Sequence, residues 1–332
     1  MLSPPSDLDQ THLSATLTQR WNLELATLDY LPLGFGSHHW TAAETTGRRW
    51  FVTVDDLRGG RLGGDQDASF AAFAAAYRTA LALRNAGLEF VLAPVVDRQG
   101  EVIHRLSSNF SVILLPFVEG QSADFGVYRN ECDRNDVLRY LGRLHNAAVP
   151  PVLTRREDFA VPKRSGLVET LGELGTPWST GPFGEPTRQL LKSTAAHLRT
   201  ALERYDALVA EVSAAAATWV VTHGEPHAGN VIRDRQDRLL IFDWDTVAVG
   251  PPERDLWMLV GDGEVDLAAY SEAGGSAEPS ARTVALYRLW SELADIAEYV
   301  SLFRRPHERD GNTEASWRNL SRGLPIRAEL LA

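Results

Sequence analysis

Glu225, Asn230 and Asp243 lie in one stretch, Trp219–Asp245, whose pattern can bring their oxygens together. The apolar run Trp219–Val221 reads as a short buried strand, and His223–Asn230 as a polar loop closed by Gly229. Val231–Ile232 is a second strand, Asp234–Arg238 a turn, and Leu239–Phe242 a third strand that ends on Asp243. Short strands bounded by polar and turn residues pair as hairpins, so Asn230 and Asp243 should stand side by side at one end of a small sheet. An amide oxygen and a carboxylate suit Mg2+, which takes oxygen ligands and keeps other positions for water and substrate phosphates. Glu225 precedes Asn230 on the same loop and can be aimed at whatever sits beside the metal.

The elements that must position this stretch follow from the rest of the pattern. Asp9–Trp21 reads as a short helix, and Leu23–Leu33, His39–Glu44 and Trp50–Val54 as three strands. Gly34-Phe35-Gly36-Ser37 joins the first two strands in a tight turn, and Thr45–Arg48 joins the next two. A glycine turn can lie over phosphates, because backbone N–H groups approach with no side chain in the way; it is equally compatible with a plain hairpin. Asp67–Ala86 repeats Phe70, Phe73, Tyr77, Leu81 and Leu83 at helical spacing, ended by Gly87. Phe90–Val96, Glu101–Arg105 and Ser111–Leu115 read as strands, the last running into Pro116–Gly120. Val137, Leu138, Leu141 and Leu144 mark a helix from Asp133 to about Asn146, with His145 at its end. Pro150–Glu185 is rich in Pro, Gly and charge around a short helix at Leu167–Leu174. Trp178 and Phe183 there suggest a segment packed on something, such as a substrate lid. Thr187–Ala217 is a long amphipathic helix. A helix over Leu286–Phe303 spaces Glu292, Asp295 and Glu298 three apart on one face.

Composition narrows the classes. The 332 residues, 44% hydrophobic and 23% charged, are enough for two lobes with real cores. The single cysteine, Cys132, excludes an intrachain disulfide and a Cys-based zinc cage and fits a reducing, cytoplasmic setting. Met1–Gln10 lacks a basic-then-apolar signal pattern, and no apolar run is long enough to cross a bilayer, so no membrane partner is expected. A net charge of −11 argues against nucleic acid as a partner and is compatible with a cationic small substrate, as it is with mere solubility.

The Trp219–Asp245 stretch resembles the Brenner box of the aminoglycoside phosphotransferase family, small-molecule kinases related to protein kinases. That box usually reads His-Gly-Asp-x-His-x-x-Asn, then a strand and Ile-Asp-Trp; here it is matched at His223, Gly224, His227, Gly229, Asn230, Asp243 and Trp244. The resemblance implies that Asn230 and Asp243 hold Mg2+ and that Glu225 stands at the catalytic base position, where the family usually has Asp. His223, and His227 with it, would support the loop by hydrogen bonding. Pro251–Leu256 resembles the family segment with a structural aspartate, so Asp255 is read as a helix-start residue bracing the loop. Asp245 is read either as a second acid near the metal or as a hydrogen-bond partner of the loop.

In the family the third strand carries a lysine that meets the phosphates and pairs with a helix glutamate. Here Thr53 stands at that position, and the Asp67–Ala86 helix has no Glu. Losing one member of a buried pair favours losing both. Arg49, Arg58, Arg61, His38 and His39 are candidate substitutes. Pro116–Gly120 resembles the kinase hinge, with Leu115 as gatekeeper, the Pro116 carbonyl accepting from an adenine amine and the Val118 N–H donating to the ring.

The fold so implied is α+β and protein-kinase-like, with two lobes. Residues 1–118 form a small β-rich N-lobe with one helix, the hinge is at 116–120, and 119–332 form a larger, mainly helical C-lobe. The nucleotide, ATP or GTP, would lie against Gly34, Gly36, Ser37, Thr53, Pro116 and Val118, with Mg2+ on Asn230 and Asp243. The acceptor would be a small, cationic, hydroxylated molecule such as an aminoglycoside or aminocyclitol, met by Asp245, Glu292, Asp295 and Glu298. Thr53 and Glu225 also admit a nucleotide-binding protein with impaired transfer, and the acceptor could equally be a metabolite such as choline, homoserine or a sugar. Antibiotic resistance and metabolic duty both fit.

Overall fold

The computed structural model describes all residues other than 35, 60–64, 124, 127, 216–217, 261–265, 276–277 and 332; Phe35 of the glycine turn and Arg61 therefore lie outside the described residues. The chain forms two compact units, Met1–Arg156 with Trp219–Glu278, and Glu157–Thr218 with Pro279–Ala332.

The first unit begins with helix α1 (Gln10–Trp21), started by the Asp9 side chain accepting from the Thr11 N–H. Strands β1 (Leu25–Leu31), β2 (His38–Glu44) and β3 (Arg49–Asp56) follow as antiparallel hairpins, then helix α2 (Gln66–Asn85), capped by Asp65. Strands β4 (Ile103–Arg105) and β5 (Phe110–Pro116) complete a five-stranded antiparallel sheet in the order β1-β2-β3-β5-β4. Alternate residues of a strand face opposite sides. Trp40, Val52, Val54, Val112 and Leu114 accordingly pack on Leu13, Leu17 and Trp21 of α1, while Ile103 and Ile113 pack with Phe73 and Tyr77 of α2. By the same alternation Thr53 and Asp55 lie on the α2 side, away from the α1 core.

Phe90–Val96, expected as a strand, is not one. Its backbone meets the later sheet only locally, with an isolated bridge from Val91 to Ile241 and the Leu92 N–H donating to the Ile241 carbonyl, and Pro94 has no N–H to continue a ladder. Strand β6 (Gly120–Gln121) leads to helix α3 (Glu131–His145), capped by Asn130.

The second unit holds helices α4 (Arg164–Gly172) and α5 (Gly184–Ala214). The chain then returns to the first unit as β7 (Val220–Thr222), β8 (Val231–Asp234), β9 (Leu239–Ile241), β10 (Ala248–Gly250), α6 (Glu253–Leu256) and α7 (Ala268–Glu272). β7 pairs with β10 and not with the β8/β9 hairpin, which takes β6 as its third strand. Ala80 and Leu83 of α2, Leu138 and Leu141 of α3, Val221, Val231, Ile241 and Trp244 share one core, which fixes the hairpin against both helices. Arg233 of β8 adds polar ties to α3, donating to Asp133 at 2.7 Å and to Asp136 at 2.6 Å.

Helices α8 (Ala281–Phe303) and α9 (Gly311–Gly323) finish the second unit, in which α4, α5 and α9 pack on α8. Trp178 and Phe183, expected as signs of a lid, are buried within this unit: the Arg304 guanidinium lies over Trp178, and Phe183 stacks on Trp317 at 5.9 Å. Among the described residues no helix is long and apolar enough to cross a membrane.

Gly142 is where α3 and α7 approach most demandingly, since a Cβ there would overlap the Tyr270 carbonyl oxygen and the Ala273 Cβ. The obstacle is partly backbone, so overpacking, about 1–3 kcal/mol, outweighs the roughly 1 kcal/mol gain in helix propensity. Gly142→Ala should lower the urea midpoint accordingly; an unchanged or raised midpoint would count against this packing.

Candidate functional site

The His223–Asn230 loop is anchored on a buried carboxylate. Asp255 is fully buried in α6; its Oδ1 accepts the Gly224 N–H at 2.6 Å and its Oδ2 the His223 N–H at 2.9 Å. Oδ2 also lies 2.9 Å from Nε2 of His145, the last residue of α3, whose Nδ1 is 2.8 Å from the Tyr270 hydroxyl. Burial pushes the Asp255 pKa up, but the His145 hydrogen bond and charge, with His223 and Arg254 behind them, bring it below the ordinary 3.8. Asp255 is therefore an anion surrounded by donors. Its expected bracing role rests on these amides, whereas the N-cap position of α6 is taken by Pro252.

His223 carries the anchor across the loop. Its Nδ1 accepts the Glu225 N–H at 3.1 Å, so Nε2 holds the proton and donates to the Phe242 carbonyl at 2.9 Å. Burial lowers its pKa and keeps the ring neutral, and its edge meets Trp244 at 4.6 Å. Gly224 has φ +102°, and a Cβ there would strike the Arg254 guanidinium. That guanidinium spans the loop, donating to Thr222 Oγ1 at 3.0 Å and to the Thr246 carbonyl at 2.9 Å. Glycine is thus required at 224 for both conformation and space.

Asn230 is buried, with Nδ2 donating to the Glu225 carbonyl at 2.9 Å, which turns Oδ1 the other way. The Phe242 N–H donates to the Asn230 carbonyl at 3.0 Å, placing Asn230 opposite the residue before Asp243. Asp243 is exposed and left-handed, φ +64° and ψ +59°. A non-glycine residue costs about 1–3 kcal/mol there and persists because its neighbours over-determine it. Here Trp244 Nε1 donates to the Ile241 carbonyl at 2.9 Å and Thr246 Oγ1 to the His223 carbonyl at 2.8 Å. The donor set on offer is one amide oxygen and one exposed carboxylate, both hard, which fits a divalent cation that keeps water or phosphate ligands. Among the described residues no group of three or more His, Cys, Asp or Glu side chains forms a metal cage. Asp245, by contrast, is 1% exposed. His227 accepts the Gly229 N–H on Nδ1 at 3.1 Å, and burial, then the neighbouring His223, lower its pKa to about 4.

At the glycine turn Gly34 and Gly36 adopt φ +68° and +96°. The Ser37 hydroxyl donates to Asp55 at 2.7 Å. Thr53, at the expected lysine position, has its Oγ1 3.2 Å from Nδ1 of His39, whose pKa burial lowers to about 4. Of the candidate substitutes among the described residues, His39 is thus the one that reaches Thr53. His38 turns to the Tyr30 hydroxyl, Arg58 to Asp56 and Asp7, and Arg49 lies over the Phe117 ring at the far end of β3. Pro116 closes β5 opposite Trp50, and Val118 lines a groove of about 420 Å³ with Arg49, Glu119 and Arg235. Gly120 lies so close to the Arg233 backbone of β8 that no Cβ would fit, tying this segment to the hairpin.

In the second unit, Glu298 pairs with Lys163 at 2.5 Å and Glu292 with Arg327 at 3.4 Å; Asp295 is exposed on the same helix. Sequence reasoning missed the supporting roles of Arg254, Tyr270 and His145. His145 did carry a signal, since it falls one helical turn after Leu141 on the buried stripe of α3.

The sequence matches the family described as phosphotransferase enzyme family over residues 34–296. It is 30% identical over 314 residues to Protein StrN of Streptomyces griseus, covering 91% of this chain and 88% of that one. Spectinomycin phosphotransferase, solved with ADP and spectinomycin, superposes with a TM-score of 0.75 at 16% identity, covering 98% of this chain and 97% of that one. An amicoumacin kinase, solved with AMP-PNP and Ca2+, gives a TM-score of 0.63 at 13% identity over 98% and 93% of the two chains. These likenesses give the expected kinase-like fold, with an antiparallel sheet in the N-terminal part and helices in the C-terminal part.

Two predictions follow from the anchor and the neutral histidines. Asp255→Ala strands two buried amides and should cost about 3–5 kcal/mol, as loss of one partner of a buried pair does; a loss under 1 kcal/mol in urea unfolding would remove Asp255 from this role. His39 and His227 bind protons near 6.5 when unfolded but only near 4 when folded. Between those values the unfolded state holds more protons, so stability should fall as pH drops from 6.5 towards 4. His227→Asn should flatten that slope, and an equal slope in the variant would contradict the assignment.

Proposed function

The chain belongs to the phosphotransferase enzyme family, and we propose that it is a nucleotide-dependent kinase that phosphorylates a hydroxyl of a small, cationic, polyhydroxylated acceptor of the aminoglycoside or aminocyclitol kind. The observation that carries this reading is the Asp255-anchored loop, which sets Glu225, Asn230 and Asp243 around one end of the β8/β9 hairpin.

The phosphates of ATP or GTP lie under the Gly34–Ser37 turn, where φ-positive glycines let backbone approach, and the base lies against Pro116 and Val118. The acceptor oxygen attacks the γ-phosphorus while its proton passes to the Glu225 carboxylate. The bond from that phosphorus to the β,γ-bridging oxygen breaks, and the nucleoside diphosphate leaves. Asn230 Oδ1 and the Asp243 carboxylate would hold Mg2+, which neutralises charge on the phosphate oxygens when bound. His223 aims Glu225 through its backbone N–H, so it is a positioning residue. Placement error of an ångström is costly in such chemistry, which is why the supports are buried and fully bonded.

The buried Asp245 suits support of the loop better than acceptor contact, and Glu292 and Glu298 already meet basic partners. One observation favours a second reading, a nucleotide-binding protein of little transferase activity: the side chain that meets Thr53 is a neutral histidine, so the pair brings no positive charge to the phosphates.

The test is nucleoside diphosphate release with Mg2+ and ATP or GTP, against aminoglycosides, aminocyclitols and small metabolites such as choline, homoserine and sugars. Acceptor-dependent release supports the kinase and names its acceptor class; Mg-nucleotide binding without release on any acceptor supports the second reading. Asp243→Ala should abolish metal-dependent turnover, and wild-type activity in it would sink the metal assignment. Glu225→Gln should slow the chemical step by about 10²–10⁴-fold while nucleotide affinity holds; equal losses in both would make Glu225 structural.

A further inference from the structure

Asp55 is a buried carboxylate, 1% exposed, near the end of β3 and two residues beyond Thr53. Its Oδ1 accepts from the Ser37 hydroxyl at 2.7 Å and its Oδ2 from the Tyr77 hydroxyl at 2.8 Å. Those donors come from the glycine turn and from the middle of α2, so one side chain joins three elements. Helix α2 in turn packs on Trp244–Thr246, which directly follow Asp243. Burial, then the charges of Asp55, Asp245 and Asp243, hold the Tyr77 pKa well above 10.0, so its hydroxyl keeps the proton it donates. The ring itself is stacked on Phe73 at 6.0 Å, which fixes the direction of that hydroxyl.

We propose that Ser37, Asp55 and Tyr77 form a positioning clasp that holds the glycine turn and α2 in register with the 243–246 segment, and thereby sets the affinity for the nucleotide phosphates. The clasp does with hydrogen bonds what a lysine–glutamate pair between strand and helix does with charge. Both arrangements tie β3 to the helix, but this one also reaches the turn, through a residue that a lysine at 53 would leave untouched. A charge-assisted bond to a buried carboxylate is among the stronger hydrogen bonds, so loss of either donor should be felt at the other end of the relay. The inference rests on the kinase reading of the same site.

The experiment is calorimetric titration of the full chain with AMP-PNP and Mg2+, paired with amide hydrogen exchange. Tyr77→Phe keeps the ring packing and removes one hydroxyl; Ser37→Ala removes the other donor from the turn side. Each should weaken AMP-PNP binding about tenfold, the worth of one such bond. Tyr77→Phe should also speed exchange at both 36–39 and 244–246, two segments that its ring does not adjoin in sequence. Unchanged affinity in both variants, with faster exchange confined to α2, would overturn the clasp and leave Asp55 a local core contact. Should Tyr77→Phe fail to fold, unchanged affinity in Ser37→Ala overturns it alone. Wild-type protein that binds no Mg–AMP-PNP would instead overturn the kinase reading beneath it.

Discussion

The anion of Asp255 is the constraint on which the rest depends. A charge in a protein interior is tolerated only where donors surround it. Two of its donors are the amides of His223 and Gly224, the first residues of the loop, so satisfying the charge and shaping the loop are one event. The neutral His223 ring then passes the constraint to Phe242, next to Asp243, and Arg254, adjacent to Asp255, clamps Thr222 and Thr246 from outside. A single short turn of helix thus sets both strand ends that carry the hard oxygens. Glu225 and Asp243 can stay accessible because what holds them is buried elsewhere.

The glycine turn is built on a different principle. Around Thr53 and His39 the strands offer hydroxyls and an uncharged imidazole, and Asp55 gathers the hydroxyls of Ser37 and Tyr77. These described side chains supply fixed hydrogen bonds and no positive charge. On the proposed kinase reading, compensation of the phosphates would fall on a cation held by Asn230 and Asp243, so the two ends of the site would depend on one another more than a lysine at 53 would require.

What was legible in the sequence is what is local. The 223–243 pattern combines two strands, a turn and polar stops within a single hairpin, and β1–β3 are punctuated by glycine and threonine turns, so spacing alone fixes their register. Asp255 and His145 stand 110 residues apart, and Tyr77 and Asp55 belong to a helix and a strand, so nothing in periodicity pairs them. Phe90–Val96 misled because an apolar run signals burial rather than hydrogen bonding; Phe90 and Val91 are buried with Ile241 of β9, and Pro94 interrupts any ladder. Trp178 and Phe183 signalled packing correctly, but aromatics in a Pro- and Gly-rich segment mark contact without naming the partner, here Arg304 and Trp317. The acids of α8 looked like one charged face, but Lys163 and Arg327, distant in sequence, meet two of them.

On the proposed kinase reading, the two departures from the family pattern, Glu225 and Thr53, would act on opposite substrates and need not compensate for each other. Glu225 is fixed by its backbone on both sides, its N–H on His223 Nδ1 and its carbonyl on Asn230 Nδ2. The extra methylene relative to Asp therefore moves the carboxylate alone and leaves the Asn230 amide where it is. If Glu225 is the base, as proposed, the consequence would lie in how far it reaches, and so in which acceptor hydroxyl it could meet. Thr53 would change nothing about reach; on the same reading it would remove a charge from the nucleotide side, where the Ser37 and Tyr77 hydroxyls on Asp55 supply a mechanical link without a charge. On the proposed kinase reading, a site altered in this way would keep the geometry of transfer while depending more on a bound cation and on the reach of its base.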